Sequence, residues 1–178
     1  MKTVRSADQY TEPAETTESG NDHKAKHWFY SALALLTVLL IGMAVIVIIV
    51  DPYFHYHKPL SFLSYRIYEE RYVNDGISRH FTYDAVITGT SMAQNFKTSE
   101  LDELFGTHSV KEPFSGAGFK ELSENLNRTL QYGQEVKMVV MPLDYNALLQ
   151  DADWQKYEEY PTYLYDNNIF NDTRYVWN

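Results

Sequence analysis

Trp28 to Val50 reads WFYSALALLTVLLIGMAVIVIIV, 23 residues without a single charge. At about 1.5 Å per residue a helix of that length spans roughly 34 Å, against about 30 Å for the hydrocarbon core of a bilayer. Trp28, Phe29 and Tyr30 stand at one end of the run, and Tyr53, Phe54 and Tyr56 follow the other. Those are the positions of aromatic belts at membrane interfaces. The run is longer than the apolar region of a signal peptide, and its end, VIVIIVDPYF, offers no small-x-small cleavage pattern. The sequence therefore predicts an uncleaved transmembrane anchor over 28–50, with the lipid bilayer as its partner.

Residues 1–27 hold almost no aliphatic side chains and are rich in Thr, Ser, Glu and Ala. Such a stretch cannot bury enough apolar surface to offset the entropy of ordering, so a disordered tail is expected. Lys24 and Lys26 crowd the N-terminal edge of the run, and Lys58 and Arg66 are the first cations beyond it. The counts tie, and proximity decides for a cytoplasmic N-terminus, which leaves residues 51–178 outside the cell membrane. The absence of cysteine excludes a disulfide framework and Cys-ligated metal. A net charge of −9 with no Lys/Arg block argues against nucleic acid as a partner.

Beyond the anchor, the pattern is α/β. Leu60, Leu63, Ile67 and Tyr68 fall at helical spacing, which predicts a helix near 60–73 ending before Gly76, within a juxtamembrane linker over 51–80. Ala85-Val86-Ile87-Thr88 is a short apolar run of the kind that is buried on both faces of a parallel sheet. It stops at Gly89-Thr90-Ser91, and Ser99-x-x-Asp102 then opens a helix closed by Gly106. Ser109-Val110 predicts a second strand, followed by the glycine-bearing loop Pro113–Gly118 and a helix carrying Phe119, Leu122, Leu126 and Leu130 up to Gly133. Val136–Met141 predicts a third strand, ended by Pro142 and followed by Leu143-Asp144-Tyr145-Asn146. Alternating β and α elements imply a parallel sheet with right-handed crossovers. The three polar turns then share the carboxyl edge of the sheet, where open α/β folds bind ligands.

That edge has the parts of serine acyl chemistry: a hydroxyl nucleophile and donors for a developing oxyanion. Ser91 is the candidate nucleophile, in a tight turn that lets its hydroxyl project. Gly116 or Gly118 offers a backbone N–H, and Asn146 a side-chain amide. Each has a plainer reading, since the glycines also suit a loop and a helix cap, and Asn146 also suits the start of the ALLQ helix.

The runs VITGTSMAQNF, PFSGAG and VVMPLDYN together resemble the opening half of an SGNH/GDSL-type hydrolase domain. More narrowly, they resemble the membrane-anchored bacterial envelope branch related to proteins that assist D-alanylation of teichoic acids. The resemblance covers roughly residues 83–146. It implies a partial three-layer α/β/α (flavodoxin-like, SGNH-type) domain over 81–178, with Ser91 as nucleophile, Gly116, or in second place Gly118, as oxyanion glycine and Asn146 as the third-block asparagine. It implies a serine esterase or acyltransferase acting on envelope polysaccharide or a teichoic-acid-like polymer, with no cofactor and no metal. LDYN departs from the usual Gly-x-Asn-Asp form. No histidine follows His108, so the Asp-x-x-His block that supplies the base is missing. A partial domain without its general base is expected, and the alternative is a non-catalytic single-pass envelope scaffold or binding module. His55-x-His57 suits a membrane edge better than a metal, and the aromatic stretch with Trp154, Tyr157, Tyr160, Tyr163, Tyr165, Phe170, Tyr175 and Trp177 suits packing better than carbohydrate stacking.

Overall fold

The computed structural model describes residues 18–67, 69–133, 135–154, 161–166 and 168–177. The chain divides into two compact units, Met1–Met43 and Ala44–Asn178. A single helix, α1, runs Glu18–Val50, and over Asp22–Val50 it is long and apolar enough to cross a membrane, with none of its apolar window buried by protein. The predicted tail boundary is corrected: residues 18–27 continue the helix, because adding turns to a helix already nucleated by the apolar run costs little. Residues 1–17 lie outside the described residues.

In the second unit the order is α2 (Glu70–His80), β1 (Ala85–Gly89), α3 (Thr98–Phe105), β2 (Ser109–Pro113), α4 (Phe119–Tyr132), β3 (Met138–Val140), α5 (Tyr145–Leu149) and α6 (Thr173–Trp177). The three strands form a parallel sheet in the order β2-β1-β3. Ala85 pairs with Ser109 on one side and Met138 on the other. All five residues of β1 are buried, as its unbroken apolar run requires. Right-handed crossovers leading in opposite directions from β2 and β1 set α3 and α4 on opposite faces of the sheet. In accord with this, α2 packs on α4 and β2, and α3 packs on β2. The third strand is shorter than the predicted 136–141, because only Met138–Val140 have a partner in β1.

The helix predicted near 60–73 is corrected to 70–80. Phe62, Leu63 and Ile67 are exposed, so the apolar spacing there faces no core. The buried face of α2 is instead Arg71, Val73, Asn74, Asp75, Ile77 and Ser78, mostly polar, which hydrophobic periodicity under-reports. Gly76 does not end the helix. It lies inside it, and an added Cβ there would sit 2.6 Å from the Tyr53 carbonyl oxygen, so glycine serves a close approach of α2 to the 53–54 loop. The segment after α1 is thus part of the core and no mere linker. Phe54 is buried with Val73, Ile77, Tyr83, Val86 and Val110.

Asp51 fixes the chain's exit from α1. It is fully buried, and its carboxylate accepts the backbone N–H groups of His55 (2.9 Å), Tyr56 (2.8 Å) and His57 (2.9 Å), together with the Tyr175 hydroxyl (2.5 Å). Burial, then this bond to Asp51, push the Tyr175 hydroxyl well above the ordinary phenol range. The link ties the start of the unit to α6. There Tyr175 joins Phe114, Ala117, Leu122, Tyr163, Leu164 and Tyr165 in a second apolar cluster. Tyr157 and Tyr160 lie outside the described residues.

A polar layer separates α2 and α4 from β2. The Glu112 side chain is fully buried and meets Ser78 Oγ (2.9 Å), Asn125 Nδ2 (3.0 Å) and Thr129 Oγ1 (2.5 Å). Thr129 Oγ1 also lies 2.9 Å from the Asn125 carbonyl, which can only accept. One hydroxyl proton cannot serve both Glu112 and that carbonyl, and a proton on Glu112 satisfies both contacts. Burial accordingly pushes the Glu112 carboxyl up to about 7 from the ordinary 4.5, against the pull of its contacts with Thr129, Ser78 and Asn125. Because the folded state holds the proton more tightly, this group's contribution is full below about pH 4.5 and is lost as pH rises through 7. Chemical denaturation of the detergent-solubilised chain across that interval should show stability falling by up to about 3 kcal/mol from this source. Glu112→Gln should flatten the profile; an unchanged slope in that variant would show that Glu112 is ionised throughout.

Candidate functional site

β1 delivers Ser91 to the carboxyl edge of the sheet. Gly89, at φ 140°, ends the strand, and Thr90 caps a short 3₁₀ turn over Ser91–Asn95. The Thr90 side chain accepts the Met92 N–H at 3.5 Å, and its carbonyl accepts the Ala93 N–H at 2.9 Å. Ser91 is exposed at the head of this turn, and among the described residues its hydroxyl has no hydrogen-bond partner.

β2 delivers the second loop. The Phe114 N–H donates to the Gly89 carbonyl at 2.8 Å, which couples the ends of β1 and β2. The loop is then held from behind by α2. Arg71 Nη2 donates to the Ser115 carbonyl (2.9 Å) while its Nε pairs with the buried Glu121 carboxylate (2.9 Å), and Glu70 Oε2 accepts the Ser115 N–H (3.2 Å). Gln94, from the Ser91 turn, donates to Ser115 Oγ at 2.8 Å and contacts Glu70. Gly116 follows at φ 66°, with open space where a Cβ would be. Gly118 differs: it caps α4, and a Cβ there would collide with the Trp154 carbonyl, so packing alone accounts for that glycine.

β3 delivers the third loop. Asp144 caps α5 by accepting the Asn146 N–H at 3.0 Å through Oδ1, while Oδ2 accepts the Thr90 hydroxyl at 3.0 Å. One carboxylate thus ties the turn after β3 to the turn after β1.

Ser91, Gly116 and Asn146 all line one cavity of about 500 Å³, with Thr90, Ala117, Asp144, Leu149 and Gln150. The cavity therefore holds an exposed hydroxyl, a left-handed glycine and a carboxamide-bearing residue on three separate turns. Among its described lining residues there is no histidine, and Asp144 has both oxygens engaged. The four histidines of this unit lie elsewhere. His80 and His108 line a different cavity, with Tyr83, Asp84 and Lys137, near the amino ends of the strands. His55 Nε2 pairs with Asp172 at 3.3 Å, and His57 contacts the Ile48, Ile49 and Lys58 carbonyls. Among the described residues no cluster of three His, Cys, Asp or Glu side chains is arranged to hold a metal.

Glu70, Arg71 and Gln94, which hold the second loop, are not visible in the sequence as site residues. They lie far from Ser115 along the chain and match no motif. Asp144 carries a local signal, an Asp two residues before Asn146 at a helix start. No family model, no curated protein and no solved structure matches the chain.

The Asp144 tie has a measurable consequence. Asp144→Ala removes a helix cap and leaves the buried Thr90 hydroxyl without its acceptor, so thermal unfolding should report a loss of about 1–2 kcal/mol. Asp144→Asn keeps an acceptor for only one of the two donors and should recover about half of it; full wild-type stability in either variant would contradict the bridging role.

Proposed function

We propose that the chain is a membrane-anchored, SGNH-hydrolase-like protein whose extracytoplasmic α/β unit carries a serine acyl-transfer site acting on a cell-envelope polymer. The observation that carries the reading is the meeting of three sequence-distant turns around the exposed Ser91 hydroxyl in one cavity. In this reading α1 inserts in the cell membrane with its N-terminus cytoplasmic. Ser91 Oγ attacks an ester carbonyl. The carbonyl oxygen takes up negative charge and is met by donors from the Gly116 turn and the Asn146 amide, each worth roughly 3–4 kcal/mol of barrier where it is well aimed. The serine proton must leave to a base, and the described lining of the cavity supplies none, so the base comes from outside it; collapse of the adduct then breaks the ester C–O bond, the departing alcohol takes up that proton, and the acyl group stays on Ser91 until water or a second hydroxyl removes it.

That same lack of a base favours a second reading, in which the unit keeps the cavity as a binding surface of an envelope scaffold. The two separate on one experiment. The detergent-solubilised chain should react slowly with a fluorophosphonate at Ser91, mapped by peptide mass. Added imidazole, standing in for the missing base, should accelerate the reaction, and Ser91→Ala should abolish it. Labelling that ignores both imidazole and Ser91→Ala, on protein shown to be folded, would favour the scaffold.

A further inference from the structure

The segment between α1 and α2 exposes apolar side chains that the core does not use. Leu60–Leu63 is a tight turn, closed by the Leu63 N–H on the Leu60 carbonyl at 3.0 Å. Phe62 at its tip is 78 % exposed, and Leu63 and Ile67 are exposed beside it. A single side chain pins this turn to the last residue of the apolar helix. The Tyr65 hydroxyl accepts the Leu60 N–H (3.2 Å) and donates to the Val50 carbonyl (2.7 Å). The ring of Tyr65 is itself locked edge-on against the buried Phe54, at 5.1 Å between centroids. These contacts hold the turn beside the end of α1. Lys58 and Arg66 flank it, while the nearest carboxylate toward α1, Asp51, is buried and occupied by four donors.

We propose that the Leu60–Leu63 turn is a second membrane contact, inserting Phe62 and Leu63 into the headgroup–acyl boundary of the phospholipid bilayer that α1 spans; this rests on the reading of α1 as a membrane span. An exposed aromatic and an aliphatic side chain held rigidly at the end of an apolar helix suit a lipid surface, since their burial there gains the transfer free energy that water denies them. The exposed Lys58 beside the turn suits the phosphates of the headgroups. Such a contact, with the helix, would give the α/β unit two points of attachment.

The absence of cysteine makes the test direct, because any introduced cysteine is labelled alone. The full chain carrying Phe62→Cys with an environment-sensitive fluorophore is reconstituted in phosphatidylcholine–phosphatidylglycerol bilayers. Ile41→Cys serves as the reference within the span and Leu104→Cys as the reference on the exposed face of α3. The proposal expects blue-shifted emission at position 62 and a several-fold loss of it to shallow nitroxide lipids, with position 41 quenched by deep ones and position 104 by neither. Emission at 62 that matches 104 while 41 remains lipid-quenched would overturn the second contact and leave the span. Emission at 41 that is indifferent to nitroxide lipids would overturn the span and the contact with it.

Discussion

The pairing of β1 with a parallel strand on each side is the constraint from which the rest of the second unit follows. Parallel strands cannot be joined by a tight turn, so each connection must cross the sheet and return through a helix. With β1 in the centre, every strand then ends at the same edge, and the three turns that follow are brought together whatever their separation in sequence. Burial of β1 on both faces is what makes this arrangement stable, and Ala85–Thr88 has the side chains for it. The rim around Ser91 is therefore a product of topology first and of local sequence second.

Local chemistry then sharpens the rim. Asp144 ties the third turn to the first, the Gly89 carbonyl ties the first to the second, and Arg71 and Glu70 hold the second from α2. The Arg71–Glu121 pair is fully desolvated, so its net contribution to stability is small, whereas loss of either partner would strand a buried charge. Its value is positional: it fixes the fork that holds the Ser115 carbonyl. The buried Glu112 cluster and the Asp75 pairs with Arg79 and Arg128 extend the same principle along α2, where specific polar contacts replace generic apolar packing. Two pairs of aromatic and cationic groups, Arg71 over Phe114 and Arg128 over Tyr165, join this layer to the apolar cluster beneath.

Much of this could be read from the sequence, and what could not has physical reasons. The apolar span, the strand at Ala85, the helix ended by the left-handed Gly106 and the helix over Phe119–Tyr132 all carry their signals within a few residues. The placement of Ser91, Gly116 and Asn146 on one rim required only the alternation of strand and helix. The helix at Glu70–His80 was hidden because its buried face is polar, and its partners are Glu112, Glu121, Arg128 and Thr129, each far along the chain. Gly76 misleads for a related reason: a glycine demanded by close backbone approach has the same letter as a glycine that stops a helix. The Leu60, Leu63 and Ile67 spacing mimics a core stripe, and only the exposure of Leu63 and Ile67 shows otherwise. The ten helical residues before Trp28 carry no apolar signal of their own, and extend a helix begun elsewhere.

The proposed site requires the turns after β1 and β3 to lie close together. In the cysteine-free chain, nitroxides placed at Ser91→Cys and Asn146→Cys report that proximity by electron paramagnetic resonance. A shared cavity predicts marked dipolar broadening in the doubly labelled protein relative to the sum of the two single labels, lost on denaturation. A doubly labelled spectrum identical to that sum, in folded protein, would contradict the convergence on which the proposed chemistry depends.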